Sequence, residues 1–348
     1  AALRYLLFAL FGSVLYLLGA VLLYGAYGTL DIGLLAERVR PEPIAGAAVA
    51  LMTVGLMAKT ALFPLHFWLP PAHAGAPAAA SAILSALVIK ASFFLIVRLW
   101  FDVAPALMTP MTAQMLAALG AAAILFGSVL ALRQARLKLL IAYSTVAQIG
   151  YLFLIFPLIA RPESVAFAAP DLATDLVALG VSTSAWTGGA LQVVSHAFAK
   201  AAMFMAAGLM AQALGHDRIA DLSNIGRALP ITVLAFTLAG MSLMGLPPSG
   251  GFAAKWLLLN ATIETGQWWW ALVILGGGLL TGGYLFRVLA PALFGSREAV
   301  AVRAPVARDR EMIALTLAFC SVLLGFARLG AFDLVQIGRL AKAGVGLP

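Results

Sequence analysis

Charge is the scarcest commodity in this chain. Aspartate, glutamate, lysine and arginine make up 10% of its 348 residues, against 63% hydrophobic residues and a mean hydropathy of +1.02. Soluble globular chains carry roughly 25% charged residues, so the composition excludes a soluble domain. Cysteine is nearly absent too. The single Cys320 rules out a disulfide within the chain, and with it any iron–sulfur or zinc site built from several thiolates. No cluster of basic residues with interleaved aromatics is available to bind nucleic acid. No nucleotide loop, nucleophile triad or pair of haem ligands is present. The net charge of +8 therefore reports membrane topology rather than an acidic partner.

What is present is a series of long apolar runs. A bilayer crossing takes about 20 apolar residues, and lipid-exposed backbone must satisfy its own hydrogen bonds, so the runs predict helices. They are too long for the roughly 10-residue alternating strands of a membrane barrel. The expectation is an all-α polytopic membrane protein with about nine spans, near 3–27, 44–69, 77–100, 111–132, 137–158, 180–213, 230–265, 267–292 and 311–330. The spans 44–69 and 230–265 are long and interrupted. Loops are short except 159–179 and 287–310, the latter being the most charged stretch. The chain starts almost inside a helix, without a methionine or a cleavable leader, which predicts that an N-terminal part is missing.

Eleven basic residues fall on the side of the first span's N-terminal end and seven on the other. The positive-inside rule then makes the first side cytoplasmic. The remaining four, Lys59, Lys90, Lys200 and Lys255, lie within spans. None of the 14 acidic residues sits in a span centre, and Glu264 is near an end. An ammonium at the bilayer centre costs roughly 2.5–3.5 kcal/mol on insertion scales. Desolvation favours the neutral amine and a nearby carboxylate favours the ammonium. A buried lysine with a movable acidic partner is thus a proton switch; snorkelling to the interface is the plainer alternative.

Polar residues cluster around these lysines. In "VVSHAFAK", His196 and Lys200 are four residues apart and share a helix face with Gln192 one turn earlier. Neutral imidazole both donates and accepts, so this stripe is a candidate relay. In "LMGLPPSGGFAAKW", Pro247, Pro248, Gly250 and Gly251 predict a helix break, with a new helix restarting near Phe252 and Lys255 on its first turn. "GLMAKTALFPLHFWLPPAH" combines Gly55, Lys59 and three prolines, which together predict an interrupted or ended helix around a hydrated polar site. His66 and His73 flank "FWLPP". Their spacing does not match a zinc helix and no carboxylate or thiolate is near. For His66 a structural role and a relay role both stand, with Trp68 read as an interfacial anchor. Ser144, Thr145 and Gln148 in "LIAYSTVAQIGYLF" are candidates for bonding between helices or holding water. Lys138 is read as a topological charge at the membrane edge. At an offset of 196 residues, Gly55 and Lys59 match Gly251 and Lys255, and Arg4, Phe8, Gly12 and Gly19 match Lys200, Phe204, Gly208 and Gly215. This predicts an internal repeat of the kind that places ion sites on broken helices.

Four segments, "KTALFPLHFWLPPAH", "LKLLIAYSTVAQIGYLFL", "LQVVSHAFAKAAMFMAAG" and "GLPPSGGFAAKW", together resemble the antiporter-type proton-channel subunits of respiratory complex I, membrane-bound hydrogenases and Mrp-type sodium/proton antiporters. The resemblance covers nearly the whole chain. It implies an inverted-repeat fold of fourteen helices, two of them broken, of which the spans here would be the last nine. Residues 1–100 would then end the first repeat and 111–292 form the second. Residues 293–310 would be a charged cytoplasmic loop, and 311–348 a final helix and tail. It implies a proton path through Lys59, Lys90, His196 and Lys255, with Lys200 and Gln192 at positions that are polar in some members. It also implies an acidic partner for Lys59 on an earlier helix. Pro71 departs from the family, which often has aspartate after WLP. The expected protein is a multi-pass subunit of the bacterial cytoplasmic membrane that moves protons, with sodium a candidate second ion. It would work beside other membrane subunits and hold no cofactor itself; iron–sulfur clusters and flavin would belong to partners. A redox-driven pump, an Mrp-type antiporter and a structural helical anchor are the competing functions.

Overall fold

The apolar runs fold as helices, and the breaks between them fall where proline and left-handed residues interrupt the backbone ladder. The computed structural model describes residues 1–159, 172–294 and 302–326, with side chains from 183 onward in the second stretch. Twelve helices carry the architecture: α1 Ala2–Tyr27, α2 Ile32–Arg38, α3 Pro43–Thr60, α4 Leu69–Gly75, α5 Ala78–Val103, α6 Pro110–Leu132, α7 Leu137–Ile159, α8 Leu172–Leu214, α9 Pro230–Met244, α10 Gly250–Glu264, α11 Trp268–Phe294 and α12 Arg308–Leu323. Seven of them (α1, α3, α5, α6, α7, α8 and α11) are long and apolar enough to cross a membrane. The expected span 230–265 is the pair α9 and α10. The span 311–330 opens as α12, and its end lies outside the described residues. Among the described residues there is no strand, only an isolated bridge between Arg136 and Arg218. The expected loop 159–179 is helical from Leu172, because α8 starts earlier than hydropathy alone marks it.

The helices are layered around α7. Of its most apolar window 89% is buried, against 17% for α1. Leu3, Leu6, Leu10, Leu17 and Val21 of α1 face outward, as apolar residues do where lipid is the solvent. One core gathers Leu23, Val49, Phe93, Phe153 and Phe156, and a second gathers Phe204, Phe236, Tyr284 and Leu285. Arg136 pairs with Asp217 at 2.8 Å, the Arg303 amide bonds the Ala213 carbonyl and Arg287 bonds the Leu132 carbonyl. With Arg133 and Arg218 these residues make one end of the bundle strongly positive.

Small residues set the tightest helix contacts. A Cβ on Gly120 would strike the Gly150 carbonyl, and one on Gly150 would strike the Gly120 carbonyl. Backbones therefore touch where α6 crosses α7, as in membrane bundles generally. Gly55 does the same work against Gly12 of α1. This corrects the expectation that Gly55 breaks its helix: it stays helical inside α3, and the break comes later. That break opens at Ala61, which is left-handed with φ 57°, and runs through Pro64 to Trp68. Trp68 is buried, and its Nε1 donates to the Ala58 carbonyl at 2.8 Å. It therefore serves the broken helix end, which corrects its reading as an interfacial anchor.

The second break lies between α9 and α10. Gly245, with φ 86°, ends α9, and the amides of Gly245 and Leu246 fold back onto the Met241 carbonyl, a glycine-capped terminus. Pro247 and Pro248 follow, joined by a cis peptide bond. Ser249 caps α10, its Oγ accepting from the Phe252 amide at 3.2 Å. Gly250 and Gly251 are thus the first residues of α10 and not part of the break. Their missing side chains let α10 approach Ser321 and Ser242. The two breaks also differ in order: Lys59 precedes its break and Lys255 follows its own. The Gly-to-Lys spacing at offset 196 thus pairs two lysines that lie on opposite sides of their breaks.

Adding a branched side chain at the closest crossing should overpack it. Gly150→Val is expected to cost about 1–3 kcal/mol, read as a lower unfolding temperature of the detergent-solubilised protein, with Gly150→Ala intermediate. An unchanged unfolding temperature for Gly150→Val would show that α6 and α7 do not meet this closely.

Candidate functional site

The site begins where α9 ends. A terminating helix leaves carbonyls without intrahelical partners, with partial negative charge collected there. The Gly245 cap occupies the Met241 and Ser242 carbonyls but leaves those of Leu243 and Met244 free. Lys255, in the second turn of α10, fills the gap: Nζ donates to the Leu243 carbonyl at 2.6 Å and the Met244 carbonyl at 3.3 Å. Nζ also lies 4.3 Å from the centre of the Tyr151 ring on α7, near enough for cation–π attraction. Gly245 must lack a Cβ here, since one would meet the Lys255 stem.

From Lys255 a line of polar groups runs through the bundle. The Leu243 carbonyl also accepts from Gln148 Nε2 at 3.2 Å, and Gln148 Oε1 accepts from Gln192 Nε2 at 3.1 Å. One turn back along α7, Ser144 meets Lys200. Lys200 Nζ donates to the Ile141 carbonyl at 3.0 Å and bonds the Ser144 hydroxyl. The buried Tyr284 hydroxyl lies near Ser144, Gln148 and Thr281, between the two groups, without a hydrogen bond to a described residue. The Ile141 carbonyl also accepts from Thr145 Oγ1 at 3.0 Å, and Thr145 meets Ser85 Oγ at 3.1 Å. Ser85 leads to Lys90, whose Nζ donates at 2.8 Å to both the Ser85 and Ala86 carbonyls. Those carbonyls belong to a π-helical turn, Leu84–Val88, inside α5. Such turns loosen the α ladder and recur at functional sites.

His196 occupies the middle. It is 1% exposed, lies within electrostatic range of Lys90, Lys200 and Lys255, and neither ring nitrogen has a hydrogen-bond partner among the described residues. Among those residues no carboxylate pairs with Lys90, Lys200 or Lys255. The ion pairs found are Arg98 with Asp102, Arg136 with Asp217 and His216 with Asp221. Buried charges are ordinarily paired or coordinated. Here the three lysine side chains rest on backbone carbonyls, the Ser144 hydroxyl and, at Lys255, the face of the Tyr151 ring.

The structure thus brings together Lys90, His196, Lys200, Lys255, Gln192, Ser144 and Gln148. It leaves two of the sequence candidates apart. Lys59 is half-buried in the last turn of α3, its stem against Gly12, with no hydrogen bond to another described residue. His66 is buried among Phe63, Phe67 and Phe126, with ring centroids 4.7–5.7 Å away. Several members of the site carried no mark in the sequence. Ser85 and Thr281 are single small polar residues in apolar runs. Tyr151 reads there as an apolar aromatic. Three buried serines, Ser195, Ser242 and Ser321, join α8, α9 and α12 through hydroxyl contacts of 2.6–3.3 Å. Only their burial distinguishes them.

Residues 1–167 and 171–281 match the transmembrane family described as NADH:quinone oxidoreductase/Mrp antiporter. The chain is 36% identical over 294 residues to an NADH-quinone oxidoreductase subunit of Desulforudis audaxviator, covering 83% of this chain and 54% of that protein. It is 27% identical over 335 residues to a Na(+)/H(+) antiporter subunit of Alkalihalophilus pseudofirmus, covering 94% and 62%. Among solved structures it resembles a chain of the membrane-bound sulfane sulfur reductase, an archaeal respiratory membrane complex. The TM-score there is 0.81 and the identity 27%, over 96% of this chain and 64% of that one. The chain therefore spans between half and two thirds of the length of these relatives. With its polytopic helical fold, two broken helices and a family match along most of its length, it is an integral, multi-pass member of the NADH:quinone oxidoreductase/Mrp antiporter transmembrane family.

Proposed function

We propose that this chain carries protons through the membrane along its buried lysines, as one subunit of a redox-driven complex of the NADH:quinone oxidoreductase or hydrogenase type. The observation that carries the reading is two neighbouring buried polar groups without carboxylates among the described residues: Lys90, Ser85 and Thr145 meet Lys200 and Ser144 at the Ile141 carbonyl, and Gln192 and Gln148 meet Lys255 at the Leu243 carbonyl. A structural anchor gains nothing from three buried lysines, each costly in lipid when charged.

Each lysine has acceptors that favour its charged form, and each repels a second charge nearby in a medium of low dielectric. Delivering a proton to one station therefore disfavours the next station's proton and passes it along. His196, within range of all three, can take a proton on one nitrogen while releasing the other. Lys59 stands apart from this system, its stem against Gly12 of α1. Its acidic partner would lie on an earlier helix, in keeping with residues 1–100 closing one repeat and 111–292 forming the next. In this reading flavin and iron–sulfur chemistry resides in partner subunits, and the site here supplies only proton stations. Residence in a bacterial cytoplasmic membrane belongs to the same reading.

A second reading, an Mrp-type sodium/proton antiporter subunit without redox partner, is favoured by the likeness to the Alkalihalophilus antiporter protein over 94% of the chain. The two separate on purification of the intact assembly. Flavin or iron–sulfur signals with hydrophilic partners identify the redox-driven complex. A cofactor-free set of membrane subunits identifies the antiporter, in which sodium-dependent proton exchange is then expected.

Lys255→Ala in the full-length protein should leave the complex assembled and lower proton flux by about a hundredfold or more, measured in proteoliposomes. Unchanged flux would remove Lys255 from the path. Lys59→Ala should be partly compensated by neutralising its acidic partner, with a coupling of about 1 kcal/mol in a double-mutant cycle. Strict additivity there would argue that Lys59 works without such a pair.

A further inference from the structure

Among the described residues, the polar line from Lys90 to Lys255 has no hydrogen-bonded connection to either end of the bundle. One histidine outside it is placed to make that connection. His73, on α4, is fully buried, and neither of its ring nitrogens has a hydrogen-bond partner among the described residues. Its ring lies on Phe204 of α8, with centroids 4.5 Å apart and planes 24° apart. Phe204 is one helical turn beyond Lys200 on the same face, so the stacked ring sits near Lys200, an interior station of the line. On its other side α4 ends at Ala76, whose carbonyl accepts from Lys138 Nζ at 3.1 Å. Lys138 is half-buried and lies two residues after Arg136, which pairs with Asp217 at the positive end of the bundle. The charged groups acting on His73 are these two, Lys138 on α7 and Lys200 on α8.

We infer that His73 is the proton carrier between the positive end of the bundle and Lys200. This rests on the proton-translocation reading above. The step is a relay in which nothing is oxidised or reduced. One nitrogen takes a proton from the Lys138 side, forming an N–H bond there. The other gives its proton to the Lys200 amine, breaking one. Exchange of tautomer, or rotation of the ring, resets the histidine. An imidazole suits this purpose, because in its neutral form it is both donor and acceptor and it gains and loses a proton near neutrality. Were the ring merely packing against Phe204, a phenyl group would fill the place with no buried polar nitrogens to satisfy.

The test uses the full-length protein in its intact complex, reconstituted in liposomes. Inward proton flux is driven by a valinomycin-set potassium potential and followed with a trapped pH-sensitive dye. His73→Phe keeps the stacking on Phe204 and removes the relay; His73→Gln keeps a hydrogen-bonding group and cannot carry a proton. Both are expected to assemble and to lose at least about tenfold in flux, a loss that a packing role would not produce in the phenylalanine variant. Should His73→Phe fail to assemble, His73→Gln decides alone. Lys255→Ala is measured in parallel. Near-native flux in the assembled His73 variants with Lys255→Ala inactive overturns the His73 branch and leaves the main path standing. Near-native flux in all the variants overturns both.

Discussion

The arrangement hangs on a lysine side chain held by the end of a broken helix. Lys255 takes the carbonyls of Leu243 and Met244 that the Gly245 cap leaves free. Those carbonyls exist as free acceptors only because α9 stops within the bundle. The break in turn needs Gly245 in the left-handed region, Pro247 and Pro248 to prevent continuation, and Ser249 to begin α10. Gly251 then lets α10 come close enough to Ser242 for Lys255 to reach back. In lipid each unsatisfied backbone group is expensive. The lysine thus resolves the cost of the break, and the break resolves the cost of the lysine.

The same exchange recurs with different parts. Lys90 is held by carbonyls of its own helix, loosened by a π-helical turn instead of a break. Lys200 borrows the Ile141 carbonyl and the Ser144 hydroxyl of a neighbouring helix. At the other break Trp68 supplies the donor for the Ala58 carbonyl, so that end is closed by an indole and not by a cation. Lys59, one residue further on, is left half-buried and unpaired among the described residues. This asymmetry explains why one broken helix belongs to a connected polar line and the other stands apart from it.

Much of this was legible in the sequence, for physical reasons. Scarce charge and long apolar runs left only membrane helices, and charges that persist in such runs must be held by something, which singled out Lys59, Lys90, Lys200 and Lys255. The Gln192, His196 and Lys200 stripe followed from helical spacing alone. What was not legible depends on three-dimensional approach. Gly55 looks like a breaker in one dimension and is a contact surface for Gly12 in three. Trp68 has the composition of an interfacial anchor, and only the position of Ala58 gives its N–H a buried partner. The match of Lys59 with Lys255 is one of spacing, and spacing to a glycine says nothing about which side of its break a lysine occupies. Ser85 and Thr281 are too ordinary to stand out until their partners are known.

Connectivity is what turns stored charge into transport. Carbonyl-bound lysines without carboxylates can hold protons, but a line closed at both ends would move none across a membrane. Acceptors that hold an ammonium tightly also slow its release, so a station needs a neighbour able to receive as well as to donate. Hydroxyls and amides such as Ser144 and Gln148 orient and bridge, yet they do not exchange their own protons readily near neutrality. Imidazole does, and the two buried histidines whose nitrogens are both unbonded among the described residues stand at the places where exchange is needed. His196 lies among the three lysines, and His73 lies between Lys200 and the positive end. His66, packed among phenylalanines and beside Pro64, is the contrasting case: similar burial, with aromatic rings around it where His196 and His73 have lysines.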